Sequence, residues 1–526
     1  MKNRFPLLIL SLITLISCGT TNPTPIEEPE DLYIASKSMY VYGQNGAINV
    51  VNAEEGETFS YSYEGDNLRI EDNKIIALRA GTSTRVSVNS NHHRSGAFTV
   101  NILNREYTST HLQTEQKEGW FNEVNIDKVN SLTTDFANGM DISSVKQLYD
   151  VGQQFYNKEG YETSLFLILK DAGINWIRLR LWNDPKDTYI ENGETKTYLY
   201  GGGNCDRENV LWMLKEAKLA GLKVLLTFHY SDFWADPSNQ IVPKAWVNIS
   251  SPELMAETIK NYTKDTLNYF KSYNVLPDMV AIGNEISSGM LHHNPGPVTT
   301  APQETPNYMD HTDRKNGTQA KYTSGASLTN LVNYVKAAAE GIKEVNPNIL
   351  TSIHYVKGLS APDNSLNFFR LFKDVDIDVY SLSAYPYYHF GNKSTLVSGL
   401  NTISEAMVNE FPGKKLAIAE TAYGFTFEVD TNASNGFAIG GKCGPVSGYS
   451  VNVQGQANLI RDVTETVSNL SNGFGVFYWE GAWTPKEGAG WADAASRASW
   501  ANQALFSYNG KALASLEVYR KMLGGN

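Results

Sequence analysis

The sequence predicts an α/β protein: a (β/α)8 TIM barrel preceded by a small all-β domain. Three observations predict it. Beyond about residue 105, short apolar segments rich in β-branched residues alternate with amphipathic stretches of helical period through eight cycles. Ionisable and aromatic residues gather at the C-terminal ends of those segments, the rim where a parallel barrel carries its chemistry. Between 32 and 104, by contrast, short stretches alternate with period two and are broken by turn residues. A chain of 526 residues exceeds one ordinary domain, and a hydrophobic content of 41% supports a substantial core.

The N-terminus reads as an address. Lys2 and Arg4 precede a dominantly apolar run over 5–16, too short to span a bilayer comfortably, so 1–17 is expected to be a signal peptide. The run ends Leu15-Ile16-Ser17-Cys18, which resembles the lipobox of bacterial lipoproteins. That resemblance implies lipidation of Cys18 and an exported protein tethered to the outer membrane, on its cell-surface or its periplasmic face. Residues 18–31, with Pro23, Pro25 and Pro29 among small and acidic residues, form an extended tether. In 32–104, Asn73-Lys74-Ile75-Ile76-Ala77-Leu78 and Thr84-Arg85-Val86-Ser87-Val88 flank the turn Ala80-Gly81-Thr82. The run from Lys74 to Val88 is similar to bacterial Ig-like domains, which implies a β-sandwich. It holds no catalytic constellation, so a spacer or a weak binding module is expected there.

In 105–526 the strands are predicted at 138–142, 175–181, 223–229, 279–284, 349–355, 379–385, 415–420 and 475–480. Helical patterns lie between them at 208–220, 252–273, 328–345, 396–410 and 456–470. An open Rossmann-type sheet is the structural alternative, weakened because no G-x-G-x-x-G follows any strand. The strand ends are then the informative positions. Strand one ends Gly139-Met140-Asp141; strand two carries Arg178 and Arg180 and ends at Trp182. Strand three ends His229-Tyr230-Ser231-Asp232, and strand four Asn284-Glu285. Strand six ends at Tyr385, strand seven at Glu420, and strand eight at Trp479-Glu480. One charged strand end is ordinary; this many on one rim marks a site.

Glu285 and Glu420 end strands four and seven, on roughly opposite sides of an eight-strand barrel, and can face each other across its mouth. Two carboxylates so placed are what glycoside cleavage requires. One delivers a proton to the leaving oxygen, and the other, ionised, attacks the anomeric carbon. The composition agrees: 29 Tyr and 10 Trp offer flat apolar faces for sugar rings, while a net charge of −12 argues against nucleic acid as a partner.

Ala281-Ile282-Gly283-Asn284-Glu285 and Ala417-Ile418-Ala419-Glu420-Thr421 resemble clan A glycoside hydrolases. His229-Tyr230-Ser231-Asp232-Phe233-Trp234-Ala235-Asp236-Pro237 resembles the hallmark of glycoside hydrolase family 53, the endo-β-1,4-galactanases. Gly475-Val476-Phe477-Tyr478-Trp479-Glu480 and Asn502-Gln503-Ala504-Leu505-Phe506 add to it. The resemblance covers about 106 to the C-terminus. It implies Glu285 as acid/base, Glu420 as nucleophile, and Asn284 on the sugar 2-hydroxyl. Arg178 and Tyr385 would orient the nucleophile, and His229 would line the site near Glu285 or serve as a satisfied structural histidine. Asp141 and Asp232 are further substrate-binding candidates. Trp479 would floor the subsite of the scissile sugar, and Trp234, Trp483 and Trp491 would stack on others.

Two departures stand out: His292 follows Leu291 where Trp is expected, and Gly481 replaces an expected Pro. The family also implies a calcium ion in the loop after strand seven. Asp430, Asn432 and Ser434 offer alternating oxygens there, but the expected Asp and His run is not reproduced, so calcium and an ordinary polar loop both remain open. The chemistry itself needs no cofactor. Cys205 and Cys443 are left to pair or stay reduced. The expected function is retaining hydrolysis of β-1,4-galactan, as in pectic arabinogalactan side chains, by a monomer. The rivals are another clan A endo-β-glycanase, of mannanase or xylanase type, and a non-catalytic glycan-binding surface lipoprotein.

Overall fold

The computed structural model describes residues 31–34, 39–41, 45–78, 84–103, 115, 117–292, 318–428, 446–490 and 497–525. Cys18, Asp430, Asn432, Ser434, Cys443 and Trp491 lie outside these residues.

Eight parallel strands close into a barrel in chain order. They run Ala137–Asp141, Trp176–Leu181, Lys223–Phe228, Met279–Ile282, Leu350–Tyr355, Val379–Ser383, Lys415–Thr421 and Gly473–Tyr478. Apart from the first residues of strands three, five, seven and eight, these positions are buried, as expected of strands covered on both faces. Alternate positions divide the labour. Ala137, Trp176, Leu225, Met279, Ala281, Val379, Ala417 and Phe477 fill the barrel interior. Outward-facing residues such as Ile177, Leu179, Val224, Leu226 and Ile418 join the helix layer in a second core. The seam between strands one and eight needs glycine, because a Cβ on Gly139 would lie 2.2 Å from the Phe477 ring.

The helices match the sequence pattern closely: Arg207–Leu219, Pro252–Ser272, Gly325–Val345, Lys393–Glu410 and Val453–Ser468. The starts of all but Gly325–Val345 are set by side-chain caps from Asp206, Ser251, Asn392 and Asn452 onto the first-turn amides. Four shorter helices, Val145–Asp150, Leu165–Asp171, Pro362–Arg370 and Val518–Met522, were not expected; three of them are too short to show a clear period. An antiparallel hairpin, Lys186–Glu191 with Glu194–Leu199, also inserts after strand two.

Strand four stops at Ile282 and strand six at Ser383, two residues short of expectation in each case. Gly283 at φ +79° and Glu285 at φ +47° leave extended geometry, and the register between strands six and seven slips at Leu382/Ser383. These breaks lie where the catalytic candidates sit, a common place for backbone strain.

Ahead of the barrel, seven short strands between Met39 and Leu103 form a four-stranded and a three-stranded sheet. Both contribute to one apolar core that includes Leu68, Ile75, Val86, Val88, Val100 and Ile102. No helix among the described residues is long and apolar enough to cross a membrane.

Candidate active site

The barrel rim brings Glu285 and Glu420 together: a carboxylate oxygen of each and a ring nitrogen of His354 lie within 4.8 Å of one another. The cleft above them is lined by Trp234, Asp236, Asn284, Tyr385, Tyr387, Tyr388, His389, Trp479, Trp500 and Gln503, among others. Apolar ring faces with a few polar groups make a surface suited to a sugar chain.

Glu285 is presented by a sharp turn. Gly283 admits that turn, since a Cβ there would lie 2.4 Å from Ile286 Cγ2 at a left-handed φ. Gln240 braces it from behind, its Nε2 donating to the carbonyls of Asn284 at 2.7 Å and Glu285 at 3.3 Å. The two carboxyl groups live in different surroundings. Glu285 meets one hydroxyl, Ser383 Oγ at 2.6 Å. Burial, then the nearby Glu420 charge, pushes its pKa up to about 8. Glu420 is pushed upward by burial too, but is opposed by Arg178 Nη2 at 2.8 Å and the Tyr385 hydroxyl donating at 2.8 Å. Glu420 is therefore the group of the pair that ionises first, and Glu285 the one that keeps its proton.

Arg178 is the hub of this arrangement. It is 2% exposed and reaches Asp141 Oδ2 at 2.6 Å, Asn284 Oδ1 at 2.6 Å and Glu420. Burial alone would weaken its charge, but Glu420 and Asp141 hold it protonated. Removing it would strand two buried carboxylates. Arg178→Met is expected to cost about 3–5 kcal/mol of stability in denaturant titration. It should also move the acid limb of the pH–rate profile upward, because Glu420 loses the cation that favours its ionised form.

Several residues expected to touch substrate are instead buried behind the cleft. Asp141 is occupied by Arg178 and by Ser143, whose amide and hydroxyl it accepts at 2.9 and 2.6 Å. Asp232 pins two loops, accepting the amides of Asp184 at 3.0 Å and Lys244 at 2.8 Å. His229 accepts the Ala235 amide on Nδ1 at 3.0 Å and is held neutral by burial and the nearby arginines; it shapes the loop bearing Trp234. Trp483 is fully buried, donates to the Ala489 carbonyl at 2.7 Å, and stacks on the rear of Trp234 with ring centroids 6.2 Å apart. Trp234 is also gripped by Arg180, whose guanidinium carbon lies 4.0 Å from its ring centroid and which is itself ion-paired to buried Glu480. Trp234, Asn284, Tyr385 and Trp479 line the cleft.

The sequence reading missed Ser383, His354, Asp236, His389 and Trp500. Ser383 precedes Tyr385 by two positions, so the period of a strand puts both on the same wall; that signal was available. Gly481 has its own reason: its amide donates to the Asp141 carbonyl at 3.0 Å, a bond proline could not make. Cys205 is fully buried, with its thiol 3.5 Å from the Ser143 carbonyl. Besides Glu285 and Glu420 with His354, the described residues bring Glu54, Glu57 and His92 together in the all-β unit, where Arg94 supplies the compensating charge.

The profile of glycosyl hydrolase family 53 matches residues 137–519. An endo-beta-1,4-galactanase of Bacillus subtilis (strain 168) is 35% identical over 431 residues, covering 76% of this chain and 89% of that protein. An arabinogalactan endo-beta-1,4-galactanase of Humicola insolens is 28% identical over 398 residues, covering 73% and 98%. Among solved structures, the family 53 catalytic domain of Ignisphaera aggregans is similar with a TM-score of 0.63 at 37% identity, covering 76% of this chain and 99% of that one.

Proposed function

Since this chain belongs to glycosyl hydrolase family 53, we propose that it is a retaining endo-β-1,4-galactanase acting on β-1,4-linked galactan, including pectic arabinogalactan side chains. The observation that carries this reading is the carboxyl pair itself: oxygens within 4.8 Å, one group poised to hold a proton and the other to lose it. A gap of about 5 Å suits direct attack, whereas inverting enzymes need about 6.5–9.5 Å to admit a water.

In the first step Glu420 forms a bond to the anomeric carbon as the glycosidic bond breaks, and the Glu285 proton passes to the leaving oxygen. In the second, the Glu285 carboxylate takes a proton from water, whose oxygen attacks that carbon and releases Glu420. Asn284, whose Nδ2 spends one hydrogen on the Ala235 carbonyl at 2.7 Å, keeps a second for the sugar. Trp479 and Trp234 supply apolar faces in the cleft. Asp141, Arg178, His229, Asp232 and Trp483 act by positioning these groups.

Around this centre we place a signal peptide at 1–17, Cys18 as a lipid-anchored N-terminus at the outer membrane, a tether to 31, and an Ig-like sandwich at 32–104 as spacer. The two sheets sharing a core support the last of these. The test of the activity is reducing-end release from galactan, mannan and xylan by the purified protein. Galactan is expected to be cleaved to mid-length oligomers first; cleavage of mannan or xylan alone, or retention of galactan without turnover, would overturn the reading. The kcat/KM profile should fall on its alkaline side near pH 8. Glu285 is an acid there, so activity is lost as pH rises through its pKa and the proton is no longer available.

A further inference from the structure

Behind the acid/base carboxyl lies a chain of three buried polar side chains whose hydrogen positions can be deduced one after another. Asn284 fixes the starting point. Its Oδ1 must face Arg178 Nη2 at 2.6 Å and its Nδ2 must face the Ala235 carbonyl at 2.7 Å, because an arginine only donates and a carbonyl only accepts. The same Oδ1 lies 3.2 Å from His354 Nδ1, so that nitrogen carries a hydrogen. His354 is 1% exposed, and burial, then the adjacent Arg178 cation, holds it neutral. A neutral imidazole protonated on Nδ1 has a bare Nε2, which lies 2.8 Å from Ser383 Oγ and must accept its hydrogen. With its single hydrogen committed, Ser383 can only accept at Glu285 Oε1, 2.6 Å away.

We propose that Ser383 and His354 are positioning residues that hold the acid proton on Glu285 Oε1 through a hydrogen-bond chain of fixed direction, from Glu285 through Ser383 and His354 to Asn284. The inference deepens the reading above and rests on Glu285 being the acid/base. For delivery the Glu285 hydrogen turns off Ser383 onto the leaving oxygen; once it has gone, the Ser383 hydroxyl turns onto the carboxylate and His354 Nε2 loses its donor. That unpaired buried nitrogen disfavours the ionised form. It keeps Glu285 an acid in the resting enzyme and makes it a stronger base toward water in the second step. The other groups facing Glu285 are Glu420 from strand seven, Arg178 from strand two, Tyr385 after strand six, and Asp236 from the loop after strand three. Glu420 and Asp236 favour its protonated form and Arg178 opposes it; none of them determines which way Ser383 points.

The test has two arms. In protein labelled with 15N-histidine, the His354 signals, assigned by their loss in His354→Gln, should report hydrogen on Nδ1 and a bare Nε2 near neutral pH. In the pH profile of kcat/KM, His354→Phe, which offers Ser383 no acceptor, should move the alkaline limb down by about one pH unit. His354→Gln, whose amide oxygen can accept from Ser383, should leave it near the wild-type position. Hydrogen on Nε2 in the wild type, or an alkaline limb in His354→Phe that stays put or moves up, would overturn the proposal. The first arm needs neither activity nor a folded His354→Phe, so it decides even where that variant fails or where galactan is not the substrate.

Discussion

Glu420→Gln is expected to lower turnover of linear β-1,4-galactan by about 10⁴-fold, or roughly 5.5 kcal/mol of transition-state stabilisation. The amide is nearly isosteric but cannot attack carbon, and the other carboxylates buried at the rim are committed elsewhere. Asp141 is bound to Arg178 and Ser143, and Glu480 to Arg180 and Ser144 behind the Trp234 platform. The loss should fall in kcat rather than KM, because Trp234, Trp479 and Asn284 still line the cleft. The variant should remain folded, since Arg178 keeps Asp141 as its counter-charge. Product sizes followed over time check this: wild type should give oligomers of falling length, and the variant almost none. Activity within tenfold of wild type would remove Glu420 from the nucleophile's role.

Glu285→Gln should cost about 10²–10⁴-fold on galactan, and the substrate dependence of that cost identifies the role. A polysaccharide hydroxyl is a poor leaving group and needs the proton. An aryl galactoside with an acidic phenol does not, so its first step should survive. The variant is then expected to release a burst of phenol and stall with the sugar on Glu420, because the second step lacks its base. A variant equally slow on both substrates, with no burst, would place Glu285 outside proton transfer.

How far the sequence could show this site varied with the residue. Strand periodicity and the gathering of polar residues at strand ends sufficed for the barrel, Glu285 and Glu420, because inward-facing residues at the C-terminal end of a parallel strand have nowhere to go but the mouth. The same logic does not bring Asp141, His229 and Asp232 onto the cleft wall. They sit at the rim in sequence, but their partners arrive from distant segments: Lys244 on Asp232, and Arg178 on Asp141. Those pairings belong to tertiary structure and leave no local mark. Trp483 likewise could not be distinguished from Trp234, the cleft-lining ring that it backs. His354 and Ser383 look like unremarkable strand residues, and only closure of the barrel sets them against Glu285. The hairpin after strand two was legible and was passed over: Asn192-Gly193, both at positive φ, is the strongest short signal for such a turn.

Everything about the chemistry turns on a nucleophile and a proton donor too close for a water to stand between sugar and nucleophile. Proton NMR of the first sugar released from a β-1,4-galacto-oligosaccharide, recorded before mutarotation, reads that out directly. The β anomer is expected at the new reducing end, the signature of two successive displacements at one carbon. First appearance of the α anomer would mean single displacement by water, and the direct attack of Glu420 would have to be given up.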